Sequence, residues 1–97
     1  MAKKLQPIHP GEILKEEFLI PMEITADNLA QNINVSTNII DEIIAQNRSI
    51  NTEIGLRLSK YFGMSEKFWL NLQLKYDLEV TKDKLEDKLD LEIQPRN

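Results

Sequence analysis

The chain has 97 residues, 41% hydrophobic and 6% aromatic, and its 16 acids against 12 bases leave a net charge of −4. That is enough for one small domain with one core. The absence of cysteine excludes a disulfide framework, Cys-ligated zinc and a thiol nucleophile, and the acidic balance argues against binding nucleic acid through bulk charge, because affinity for phosphates rests largely on neutralising them.

Lys3 and Lys4 precede Leu5-Gln6-Pro7-Ile8-His9, which is too polar for a signal peptide, and nowhere do 18 apolar residues run together. A cytoplasmic protein with no membrane partner is expected. Bases and acids number 3 and 4 in 1–24, 3 and 4 in 25–63, and 6 and 8 in 64–97. No segment is a basic block, so any anion site must be geometric.

Prolines stand only at 7, 10, 21 and 95, leaving a long stretch free for helices. The first helix is predicted from Pro10, suited to a first helical position, to about Leu19, with Pro21 ending it. Thr25 caps a second helix to Ile33, and Ser36 a third to about Gln46, each hydroxyl preceding a helix-period apolar set. A fourth runs from Asn51 or Thr52 to Phe62 and stops at Gly63, which can take the left-handed conformation after a helix. Ser65 then caps a fifth that reaches at least Leu78. After about residue 80 charge alternates with Leu, as in a solvated helical extension or frayed tail. The expected division is a helical domain over 1–80 and a charged extension over 81–97.

Between Ala26 and Ala45 the spacing is informative. Ala30 is small where two helices cross closely, Asn34 tolerates a left-handed turn, Val35 plugs the joint, and Ile40 and Ile43 anchor the next helix by one face. This is the pattern of a helix-turn-helix. The outer face of the third helix then carries Thr37, Asn38, Asp41, Glu42 and Ala45, with Ile39 nearby, turned toward the major groove. Asn38 can pair with adenine, Thr37 can reach a base or phosphate, and Ile39 or Ala45 can meet a thymine methyl. Asp41 and Glu42 repel phosphates unless they accept from a cytosine amino group. The bland alternative is a solvated polar face with no partner. Phosphate anchors would be backbone amides at helix starts beside Thr25 and Ser36, together with Asn47, Arg48, Ser49, Asn51 and Thr52. Arg48 is the only cation among them.

His9, the sole histidine, lies near Glu12 and Glu16 but lacks a metal-binding spacing and reads as a helix-entrance residue. No catalytic constellation, metal cluster or cofactor site is visible, so neither enzyme activity nor a cofactor is expected. In the fifth helix Phe68, Trp69, Leu72 and Tyr76 share one side, while Leu70, Leu74 and Leu78 lie nearly opposite. The second stripe calls for another surface, most simply a symmetric partner. The alternative is the tail after Val80 folding back over it.

His9-Pro10-Gly11-Glu12-Ile13-Leu14, Leu29-Ala30, Val35-Ser36, Arg48-Ser49-Ile50, Leu56-Arg57-Leu58-Ser59-Lys60, Phe62-Gly63 and Phe68-Trp69-Leu70-Asn71-Leu72-Gln73 with Tyr76-Asp77-Leu78 together resemble the HigA antitoxin family, also called virulence-associated protein I, of the XRE-type helix-turn-helix class. The resemblance covers roughly 7–80. It implies an all-α, five-helix XRE, lambda-repressor-like domain with an extended C-terminal helix. It further implies a homodimer that binds operator DNA, represses its own operon and neutralises a HigB toxin, a RelE-like endoribonuclease. Glu12, Glu16, Glu17 and Glu23 are the acids nearest the HPGE start and would steer a basic toxin. The alternatives are a protein-interaction module with weak or no DNA binding, favoured by Asp41 and Glu42, and a stand-alone regulator. Gln46 stands where that family commonly has Gly, Ala26 where many XRE proteins have a phosphate-reaching Gln, and Gly55 where Ala is usual; mid-helix glycine costs about 1 kcal/mol relative to Ala.

Overall fold

The computed structural model describes residues 6–96; Lys3 and Lys4 lie outside them. The first helix, α1, covers 10–22 in three stretches: an α-helical turn Pro10–Ile13, a π-helical segment Leu14–Leu19 and a closing turn Ile20–Met22. It does not stop before Pro21 as expected. In the π segment the Ile20 N–H bonds to the Lys15 carbonyl, one residue farther back than in a regular helix. That wider spacing lets a proline, which has no N–H and would crowd a regular turn, ride in the last turn.

The expected caps Thr25 and Ser36 set two of the next starts, and Asn51 caps the one that the sequence left between Asn51 and Thr52. Thr25 Oγ1 accepts from Asn28 N at 3.0 Å to open α2 (Ala26–Ile33), Ser36 Oγ from Asn38 N at 3.1 Å to open α3 (Thr37–Ile44), and Asn51 Oδ1 from Ile54 N at 2.8 Å to open α4 (Thr52–Phe62). α3 ends at Ile44, short of the predicted Gln46, because Gln46 is left-handed (φ 65°). Four helices close in the same way, with Glu23, Asn34, Gln46 and Gly63 left-handed and paired backbone bonds reaching back into the last turn, as in Val35 N to Ala30 O (2.9 Å) and Asn34 N to Gln31 O (3.3 Å). Only one of the four is glycine.

The fifth helix, α5 (Phe68–Leu85), begins later than a Ser65 cap would place it. Glu66 and Lys67 form a turn in which the Ser65 carbonyl, not its hydroxyl, accepts from Phe68 N at 3.1 Å. Beyond Leu85 a sharp bend at Glu86 leads to a short exposed sixth helix, α6 (Lys88–Glu92).

The core joins Leu14 and Phe18 of α1, Leu29, Ala30 and Ile33 of α2, Ile40 and Ile43 of α3, Ile54 and Leu58 of α4, and Trp69 of α5. Trp69 is fully buried, with Phe18 and Phe68 at ring distances of 5.0 and 5.3 Å. α1 crosses α3 so closely at Gly11 that a Cβ there would fall on the Ile43 carbonyl oxygen. At Pro10-Gly11 the proline therefore starts the helix and the glycine lets the two backbones meet. Among the described residues no helix is long and apolar enough to cross a membrane.

Candidate nucleic-acid interface

α2 and α3 are held by their inner faces: Leu29, Ala30, Ile33, Ile40 and Ile43 are buried and Val35 packs into the joint between them. Asn34 takes the left-handed turn (φ 61°). The outer face of α3 is consequently fixed by the core. Asn38, Asp41, Glu42 and Ala45 are exposed together on it. Thr37 is half-buried at its edge. Ile39 departs from the expectation: it packs partly against the core, because it lies only 40° around the helix from Ile43.

The candidate phosphate contacts surround this face. Thr25 and Ser36 are exposed at the starts of α2 and α3, their hydroxyls already bonded to backbone N–H groups. Asn47, Arg48, Ser49, Asn51 and Thr52 are all exposed on the α3–α4 connection and the first turn of α4. Arg48 is not loose: its Nε donates to Glu42 Oε1 at 2.6 Å. Arg57 is turned inward, its Nη1 donating to the Ile33 carbonyl at 2.9 Å while the guanidinium pairs with Glu53. It braces the end of α2 rather than offering a free charge.

Sequence reasoning assigned no role to Gln73. Its side chain is buried, Oε1 accepts from Ile50 N at 2.8 Å, and Nε2 donates to Asp77 Oδ1 at 3.0 Å. One side chain thus ties the connection bearing Arg48 and Ser49 to α5. The signal was present, since Gln73 is a polar residue inside the apolar stripe of Trp69, Leu72 and Tyr76.

Gly55 also acquires a reason. A Cβ there would lie 2.6 Å from Leu70 Cδ2, so the missing side chain is the seat of Leu70. Leu70 is therefore half-buried between α4 and α5 and only flanks the outer stripe in which the angular spacing of about 100° per residue places it. Leu74 and Leu78 are 56% and 53% exposed, and the tail does not cover them. Glu12, Glu16, Glu17 and Glu23 are exposed along and just after α1. His9 sits at the entrance of α1 as anticipated, with Nδ1 accepting from Gly11 N at 2.9 Å and its ring edge-on to Tyr76 at 4.9 Å. Burial lowers its pKa below 6.5, against the opposing pull of the Asp77 carboxylate and a hydrogen bond to the Arg48 backbone.

No family model matches the chain. It is 42% identical over 90 residues to the virulence-associated protein I of Dichelobacter nodosus, covering 93% of this chain and 81% of that protein. An addiction module antidote protein of a HigA family from Coxiella burnetii superposes with a TM-score of 0.89 at 40% identity, over 95% of this chain and 100% of the other. The Pseudomonas aeruginosa antitoxin HigA, solved with the higBA promoter, superposes with a TM-score of 0.88 at 37% identity, over 94% and 99%.

Proposed function

Because the chain belongs to the HigA family of helix-turn-helix antitoxins, we propose that it binds operator DNA as a homodimer, represses its own operon and neutralises a HigB-like, RelE-fold endoribonuclease in the cytoplasm. It works as a binding protein, not an enzyme. The observation that carries the reading is the α3 face: Asn38, Asp41, Glu42 and Ala45 exposed together above buried Ile40 and Ile43, with three capped helix starts around them. Asn38 pairs with adenine, Ala45 meets a thymine methyl, and Thr37 serves the edge of the footprint. Thr25, Ser36, Asn47, Arg48, Ser49, Asn51 and Thr52 position the backbone.

Leu74 and Leu78, flanked by Leu70, supply the dimer contact, and two-fold symmetry then sets palindromic half-sites about 34–36 Å apart. The unit that does this is residues 1–80, with 81–97 as its extension. The toxin must carry a cationic surface to bind RNA, and the exposed Glu12, Glu16, Glu17 and Glu23 attract it at long range.

A mobility shift on the protein's own upstream DNA at increasing salt tests the first half, and co-expression with the product of the adjacent gene tests the second. Salt-sensitive, saturable retardation of that DNA over random sequence is the expected result. Toxin rescue without any retardation would make the chain a protein-interaction module instead.

A further inference from the structure

Arg48 is the only lysine or arginine between Lys15 and Arg57, and Arg57 is committed to Ile33 and Glu53. Within the segment from α2 to the start of α4, side-chain positive charge therefore comes down to one guanidinium. The closure of α3 decides where it goes. Gln46 N donates to Ile43 O and Asn47 N to Glu42 O, both at 2.9 Å, and the left-handed Gln46 reverses the chain over the last turn of the helix. Two residues beyond Arg48, Gln73 holds the Ile50 N–H. A connection pinned on both sides carries Arg48 back onto Glu42, whose carboxylate accepts from Nε at 2.6 Å. Asp41, the neighbouring acid on the same face, makes no ion pair among the described residues.

We infer that Glu42 is an internal stand-in for DNA phosphate: its carboxylate occupies Arg48 in the free protein, and the DNA backbone must displace it. This rests on the DNA-binding reading and deepens it by giving Glu42 a role other than base contact. A carboxylate and a phosphate oxygen offer the guanidinium the same charge-assisted acceptor. Both partners are about half exposed (Glu42 49%, Arg48 44%), so the pair is weak enough to be exchanged. Exchange leaves Glu42 uncompensated beside the DNA, so binding gains less from Arg48 than a free arginine would supply. A protein with this arrangement holds weakly to arbitrary DNA and depends on the polar contacts of α3 for its hold on an operator.

The test is a double-mutant cycle with a charge-matched control. Glu42→Gln should tighten binding to operator and random DNA alike by about 5-fold, and steepen the log–log salt dependence by about one unit. In an Arg48→Gln background the same change should give only the smaller gain that Asp41→Asn gives, since Asp41→Asn removes an equal charge from the same face without touching the pair. In the free protein the Arg48 Nε–H resonance should be protected from exchange in wild type and lose protection in Glu42→Gln.

Equal gains from Glu42→Gln in both backgrounds would overturn the inference while leaving operator binding intact. So would a loss confined to one base pair, which would make Glu42 a reader of cytosine. Failure of both wild type and Glu42→Gln to bind any DNA at low salt would overturn this inference and the operator reading together. A Glu42→Gln variant that binds better than a weakly binding wild type, with the gain falling to that of Asp41→Asn in the Arg48→Gln background, would support it.

Discussion

The α2–α3 pair and the far half of α5 are both apolar along one stripe, yet only the first has that stripe covered. In α2 and α3 every anchor from Leu29 to Ile43 is buried, and the polar face opposite is placed by core packing before any DNA arrives. In α5, Trp69 and Gln73 are buried, but among the described residues from 74 onward none is, and Leu74 and Leu78 stand in solvent. The difference teaches that one helix can serve two purposes along its length. Its first turns complete the domain, and its remainder is free to be completed by another molecule.

The sharpest way to break this contrast is to cut once in each part of α5. Trp69→Ala should destabilise the fold by about 3–5 kcal/mol in a denaturant titration. Leu78→Ala should stay within about 0.5 kcal/mol for the monomer, as exposed sites usually do. Equal losses would erase the distinction between the two halves.

Next in size is the association proposed for the uncovered half. Leu74→Glu should bury an unpaired charge at the dimer contact and weaken it by several kcal/mol. Sedimentation should show a monomer with unchanged helix content by circular dichroism. A variant that remains dimeric would move the interface elsewhere.

The covered half reaches the α3–α4 connection through Gln73. Gln73→Ala orphans the Ile50 N–H, a loss of about 1–3 kcal/mol for a buried donor. Amide exchange at Ile50 should accelerate and operator affinity should fall more than stability alone accounts for. Unchanged protection at Ile50 would remove Gln73 from the support of the α3–α4 connection.

A smaller effect of opposite sign is expected at the end of α3. Gln46 holds a left-handed conformation that glycine adopts without strain, so Gln46→Gly should stabilise by roughly 0.5–1 kcal/mol after the entropy of the unfolded chain is counted. The thermal midpoint reads it, and a lower midpoint would mean that the Gln46 side chain contributes more than its backbone strain removes.

The smallest effect belongs to pH. His9 caps α1 in its neutral form, and burial lowers its folded pKa below the unfolded value of 6.5. Between those two values the unfolded chain binds the extra proton. The contribution is therefore fully present above pH 6.5 and is lost as pH falls through 6.5 toward the folded value. A His9→Asn variant, which keeps a capping oxygen, should flatten the stability profile in that window.

Much of the architecture was legible in the sequence because its signals are local. Thr25 and Ser36 announce helix starts within three residues of the N–H groups they satisfy, and Ala30, Asn34, Ile40 and Ile43 announce the turn by spacing alone. The polar set on α3 follows from the same periodicity. A misplaced boundary such as Pro21 reflects a change of helix type, which a regular 3.6-residue rule does not contain.

What only the tertiary structure decided is where distant pieces meet. Ile50 and Gln73 are 23 residues apart, Gly55 makes room for Leu70 only because α4 and α5 cross there, and Gly11 is required only because α1 lies against the Ile43 carbonyl. Glu42 and Arg48 are close in sequence but not on one helix, and their ion pair depends on the left-handed residue between them. Periodicity describes which face of a helix is apolar; crossing points and turn conformations, which arise from packing all the faces at once, decide which atoms touch.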